Sequence, residues 1–276
     1  MTSLAHERYR PTSRRRPAKT EEARPLRVGV LGLSAESPIG LIEPLSRAAL
    51  PVRAISIHLL GTPGTSGRAP GAGVSFTHAI LDEPLDGLVL VGAPNEPDVE
   101  PEALENFREL MEIVEYARGF VPSTLGLGTG GLLLARALGL QVVALSRGVH
   151  GLVPHRVLRR DHPLLGRGNE VFFAAEDRTF RITDASMDAA VGAGRVTALA
   201  HSRDGGVSLF ESSDGRCVAH LGHPERKPPR IGDDGRLSAF YDSARESARA
   251  HAAAFFEAWV MRVNDLGERG RARSRP

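Results

Sequence analysis

The chain of 276 residues contains one cysteine, Cys217. That scarcity excludes an intramolecular disulfide and any cysteine-rich metal site. Long apolar runs are also missing: nothing approaches the roughly 20 residues a membrane-spanning helix requires. Residues 1–25 are polar and arginine-rich, and no apolar stretch follows Arg14-Arg15-Arg16. Without a signal-peptide core, a cytoplasmic location is expected. No internal repeat is visible. With 41% hydrophobic and 25% charged residues, composition is that of an ordinary globular chain, long enough to bury a full core.

The basic isoelectric point near 9.0 comes from the ends. Residues 1–25 hold 7 Lys/Arg against 3 Asp/Glu, and residues 261–276 hold 5 against 2, which leaves a net charge of −5 between them. Segments 1–23 and 263–276 read as disordered basic tails around one domain over 24–262. No aromatic or helical reader accompanies the tails, so solubilising ends are favoured over a nucleic-acid partner.

Within the domain, strand-like and helix-like segments alternate. Leu26–Leu33, Pro51–Leu60, Asp86–Ala93 and Ser123–Gly128 read as strands. Helical spacing covers 38–49, Pro101–Tyr116 and the stretch from Leu132 to Leu138. The acidic run from Glu96 to Glu115 is a solvated helix face. This βαβ rhythm predicts an α/β fold, a mostly parallel doubly wound sheet with helices on both faces. From about 151 the pattern changes to short strands and turns, with examples at Val171–Phe173, Val207–Phe210 and Cys217–Leu221. A closing helix follows over Ser238–Val263.

Two places carry candidate chemistry. In Leu125-Gly-Leu-Gly-Thr-Gly-Gly-Leu132 a strand enters a helix through a glycine cluster. A nucleophile elbow has this form, glycine–x–nucleophile–x–glycine, because small neighbours permit the strained turn and the helix N-terminus offers N–H groups to an oxyanion. Gly126 and Gly130 would be the flanking glycines, and the nucleophile position is then Gly128, which has no side chain. Thr129 comes one residue late and would point away. A glycine-rich anion-binding turn is the other reading, though the cluster lacks the lysine of a phosphate-binding loop and is not placed as a dinucleotide fingerprint. The second place is Gly222-His-Pro-Glu225. An imidazole base oriented by a carboxylate two residues on is a workable catalytic pair.

Taken together, several motifs resemble the homoserine O-succinyl/acetyltransferases. They are Arg24-Pro-Leu-Arg-Val28, Leu85-Asp-Gly-Leu-Val-Leu-Val-Gly-Ala-Pro94, Ser123-Thr-Leu125, Phe172-Phe-Ala174 with Arg178, Gly222-His-Pro-Glu225, and His251 ahead of Phe256 and Trp259. The resemblance spans about 24–262. It implies a class I glutamine-amidotransferase-like fold, often dimeric, so a homodimer is a candidate assembly. It also implies an acyl-CoA co-substrate with no tightly bound cofactor and no metal. In that family an elbow cysteine takes the acyl group and passes it to the hydroxyl of homoserine. His223 matches the base, Glu225 its partner, and Arg178 an arginine that contacts the amino-acid substrate. Glu96 matches a position where glutamate accompanies acetyl transfer, because a carboxylate there repels the free carboxylate of a succinyl group.

The departures are as informative. The family's cysteine aligns with Gly128, its active-site lysine falls near Arg147-Gly148, its Met-Pro-x-Lys turn reads Ser34-Ala-Glu-Ser37, and a substrate-binding glutamate falls on Phe240. Cys217 sits inside an apolar strand, where cysteines are usually inert. His155 and His162 have no carboxylate at matching spacing and read as surface or structural histidines, and His251 reads as structural. Three readings stay open: an acyltransferase working through His223 and Glu225 without an acyl-enzyme, a different His/Glu reaction such as isomerisation, cyclisation or hydrolysis, or a non-catalytic binder of a metabolite or partner.

Overall fold

A computed structural model describes residues 24–33, 41–59, 73–92, 99–104, 106–166, 170–227 and 238–273. Strand β1 (Leu26–Gly32) is almost wholly buried and pairs in parallel with β2 (Val52–His58) on one side and β4 (Gly87–Val91) on the other. The short β3 (Val74–Ser75) extends the β2 edge. Beyond β4 come β5 (Ser123–Leu127) and β10 (Cys217–His220), both still parallel. There the direction alternates. β9 (Gly206–Ser212), β8 (Val196–Ser202), β6 (Val142–Val157) and β7 (Val171–Ile182) complete one sheet by antiparallel pairing. Its order is β3-β2-β1-β4-β5-β10-β9-β8-β6-β7.

Alternation along the central strands feeds two cores. Leu31, Leu88 and Leu90 face one layer with α2 (Phe76–Asp82), α3 (Phe107–Phe120), α4 (Thr129–Ala137) and α5 (Asp184–Gly192). Val28, Val30, Val89 and Val91 face the other, with α1 (Ile42–Ser46) and α6 (Ser238–Arg273). Continuous apolar strands are what a sheet covered on both faces requires. The expected α/β fold with helices on both faces is therefore observed.

The far half departs from expectation. Instead of short strands, β6 and β7 form a long antiparallel hairpin whose register shifts between Ala144 and Val149. Pro154 and the glycines at 148 and 151 interrupt its sequence pattern, which hid a 16-residue strand. Helix α3 begins at Phe107, after a short 3-10 turn at Pro101–Ala103, rather than at Pro101. Helix α5, unmarked by periodicity, begins at a Thr183 hydroxyl that accepts the Ser186 N–H at 3.3 Å.

The expected end of the domain at 262 falls inside α6, which continues to Arg273. Segment 263–273 is therefore helical, not a disordered tail. It has a reason to be ordered: Val263 is fully buried and Arg271 lies 3.4 Å from the buried carboxylate of Asp86. The same carboxylate accepts the Arg27 amide at 2.9 Å and pairs with Arg24 at 2.9 Å. Segments 1–23 and 274–276 lie outside the described residues.

Trp259 locks α6 onto the sheet. Its ring is fully buried, its indole N–H donates to Ser123 Oγ at 3.1 Å, and a Cβ at Gly87 would stand only 3.2 Å from it. Trp259→Ala should cost about 3–5 kcal/mol, with Trp259→Phe costing less. Urea denaturation followed by circular dichroism measures both; a loss under about 1 kcal/mol for the alanine variant would contradict this packing role.

Candidate active site

The parallel neighbours β5 and β10 end side by side, with Leu127 opposite His220. The Gly128 amide donates to the His220 carbonyl at 3.0 Å, one step past the strand ends. Gly128 has φ 52° and ψ −120°, a conformation that only glycine adopts at low cost. The flanking glycines permit the turn: a Cβ at Gly126 would collide with the Gly130 carbonyl, and one at Gly130 with the Leu90 carbonyl. The elbow backbone is thus complete, and no nucleophile stands on it. Thr129 does not substitute. Its side chain is buried and its hydroxyl accepts the Val99 N–H at 3.3 Å.

His223 follows the neighbouring strand β10. Its backbone N–H donates to the Ala175 carbonyl of β7 at 2.7 Å, so the far-edge strand of the sheet clasps the histidine turn. Nδ1 of His223 lies 2.7 Å from Glu225 Oε1, with the two side chains 1% and 7% exposed. Arg226 approaches Glu225 at 4.0 Å and Asp177 at 3.4 Å, and Asp177 also meets His150 Nδ1 at 2.7 Å. A cleft of about 1380 Å³ opens beside the pair, between α1, α6 and Ala174-Ala175, with His223 and Glu225 on its wall.

Arg178, expected to contact an amino-acid substrate, is not among the residues lining that cleft. It is wholly buried, 3.1 Å from Glu176 and 2.9 Å from Ser202 Oγ, and it also bonds the Val207 carbonyl. Alternation along β7 turns it inward, where desolvation demands these partners. Phe240 is 69% exposed and stands edge-on to Phe173, and Arg147 is exposed at the β6 register shift. Glu96 and Ser34–Ser37 lie outside the described residues. Cys217 is buried within β10, where desolvation pushes its thiol up to about 11. It is a core residue with negligible thiolate at neutral pH.

His155, His220 and His251 form a buried cluster. The Gly222 N–H donates to His220 Nδ1 at 3.1 Å, which leaves the proton of the neutral ring on Nε2, directed to His251 Nε2 at 3.2 Å. Phe172 stacks between His251 and His155, at centroid distances of 3.6 and 5.0 Å. His155 Nδ1 meets Ser208 Oγ at 2.8 Å, whereas His162 pairs with Glu211 at 3.0 Å. Three histidines spread over 155–251 have no spacing that announces such a cluster.

The sequence profile of the homoserine O-succinyltransferase family matches residues 3–234. The chain belongs to that family. Homoserine O-acetyltransferases of Bacillus thuringiensis subsp. konkukian and Lachnoclostridium phytofermentans are 30% and 29% identical to it, each over 75% of this chain and 70% of the relative. Among solved structures, a glutamine amidotransferase of Methylobacillus flagellatus superposes with TM-score 0.57 at 14% identity, covering 86% of this chain and 95% of that one. A Thermotoga maritima glutamine amidotransferase gives 0.55 at 15%, covering 86% and 98%. These likenesses bear out the expected glutamine-amidotransferase-like fold. Among the described residues, no helix is long and apolar enough to cross a membrane.

Burial drives the His155 and His220 rings well below the ordinary imidazole value and His251 down to about 3. Because these folded-state values are depressed, their contribution to stability is complete above about pH 6.5 and is lost as pH falls below it. The loss approaches about 1.4 kcal/mol per pH unit for each ring. Unfolding free energy measured in urea should therefore drop between pH 7.5 and 5.5. His251→Phe should flatten that slope, while lowering stability at pH 7.5 by stranding the His220 N–H. A pH-independent unfolding free energy across this range would contradict a neutral cluster.

Proposed function

We propose that this chain transfers an acyl group from acyl-CoA to the hydroxyl of a small amino acid of the homoserine or serine type, with His223 as general base and no acyl-enzyme. The observation that carries this reading is the buried His223–Glu225 pair on the wall of a large cleft, three residues past the His220 carbonyl that bonds the Gly128 amide. Glu225 accepts the Nδ1 proton and thereby directs Nε2 toward the acceptor hydroxyl. The hydroxyl oxygen attacks the thioester carbonyl as His223 takes its proton. The tetrahedral intermediate then expels the CoA thiolate, which recovers that proton from the imidazolium. First-turn amides of α4, beside Gly128, are suited to the oxyanion. Holding both substrates together replaces the covalent relay, since orientation alone can supply about 7–11 kcal/mol of the barrier. Glu96 favours an acetyl donor for the reason of charge given above.

A second reading has the same base activating water, which would make the chain a thioester hydrolase. The seclusion of Arg178 favours it, because the one arginine expected to hold the acceptor makes its bonds within the protein.

Thiol release from acetyl-CoA, with homoserine, serine or water as acceptor, separates the two readings. His223→Ala should slow turnover about 10²–10⁴-fold with the circular dichroism spectrum unchanged. Cys217→Ser should leave the rate nearly unaltered. Full activity in His223→Ala would sink both readings.

Intact mass spectrometry after incubation with acetyl-CoA should find an unmodified chain, and Gly128→Cys should acquire a mass increment of one acetyl group. An acetyl adduct on wild-type protein would instead establish a nucleophile elsewhere.

A further inference from the structure

The cleft beside His223 is larger than the proposed acceptor needs. At about 1380 Å³ it exceeds even the ~300–1,000 Å³ usual for small-ligand sites. Its charge is unevenly used. Glu43 pairs with Arg47, Glu257 accepts the Ala49 amide, Glu225 holds His223, and Arg226 leans on Asp177. Once these are matched, Lys227 and Arg249 remain on the lining, both exposed and with no ion pair among the described residues. The rest of the lining includes small apolar residues, among them Ala174 and Ala175 on β7 and Ala248 and Ala252 on α6. The cleft lining thus combines two exposed cations, small apolar residues and the His223–Glu225 pair.

We propose that this slot, between α1 and α6, seats the phosphopantetheine arm of the acyl donor, with Lys227 and Arg249 taking its phosphates and the alanines passing its thin chain to His223. The assignment rests on the acyl-CoA reading and deepens it. A free amino acid would leave most of the cleft unfilled, and its single carboxylate would engage only one of the two cations. A phosphopantetheine chain is slender, amphipathic and ends in phosphate, which matches small apolar walls and cations with no ion pair among the described residues. The acceptor, or water, would then approach His223 from the Gly128 side, so the two substrates meet across the imidazole.

Calorimetric titration of the intact chain at low salt tests this with two probes, CoA and phosphate-free pantetheine. Lys227→Glu and Arg249→Glu should each weaken CoA about 10- to 100-fold, the cost of losing a hydrogen bond to a charged group, and leave pantetheine unchanged. Ala252→Leu, a substitution a helix accepts, should weaken both probes by filling the slot. Thermal melts confirm that the variants fold. If wild type binds CoA and all three variants bind it equally well, the slot assignment is wrong while the acyl-CoA reading stands. If wild type binds neither CoA nor acetyl-CoA, the acyl-CoA reading itself falls and the slot assignment falls with it.

Discussion

The hydrogen bond from the Gly128 amide to the His220 carbonyl carries the β5–β10 pairing one residue beyond both strands. Everything at the candidate site hangs from that junction. On one side the chain turns through a glycine with positive φ into α4. On the other it runs three residues to a histidine whose amide is caught by Ala175. Parallel strands at ~4.8 Å spacing place both strand ends at the same edge, the edge where open α/β sheets receive ligands. Because backbone groups make the junction, it survives the absence of a side chain at 128.

Neutrality and charge are partitioned around this junction. Below it, His155, His220 and His251 are buried among Phe172 and Phe255 and held neutral by desolvation. Above it, His223 has a carboxylate at 2.7 Å, and charged groups run outward from Glu225 through Arg226 and Asp177 to His150. Desolvation strips the proton from a buried ring, and it prevails at His155 even though Glu176 lies 3.4 Å from Nε2, because Arg178 shares that carboxylate and opposes a second positive charge. The same side chain therefore packs the core at three positions and lines the cleft beside Glu225 at a fourth.

Family membership and the glycine at the elbow pull in different directions. The elbow retains its strained backbone, its flanking glycines and the helix behind it. His223 has the Glu225 carboxylate at 2.7 Å. The resemblance expects a cysteine at Gly128, a lysine near Arg147 and a glutamate at Phe240, and none of those positions carries the expected side chain. Under the proposed reading both substrates are bound at once, because Gly128 has no side chain to hold an acyl group.

Much of this was legible in the residues alone. The β1, β2, β4 and β5 strands follow from apolar runs punctuated by small residues, and His223 with Glu225 from a compact local motif. Local patterns of that kind report period and turn chemistry, which short segments encode by themselves. The antiparallel half was not legible, because Gly148, Gly151 and Pro154 broke the alternation along β6. The end of the last helix was misjudged for a related reason: arginines and glycines after 262 look like a tail until Asp86, some 185 residues away in sequence, is seen beside Arg271. Arg178 likewise gave no local sign of facing Glu176 and Ser202 instead of a substrate. Sequence determined the elements and the pairing of His223 with Glu225. Which charges meet solvent, which histidines meet one another and which strand clasps His223 were decided by tertiary structure, since burial and long-range pairing belong to the packed chain and to no short segment of it.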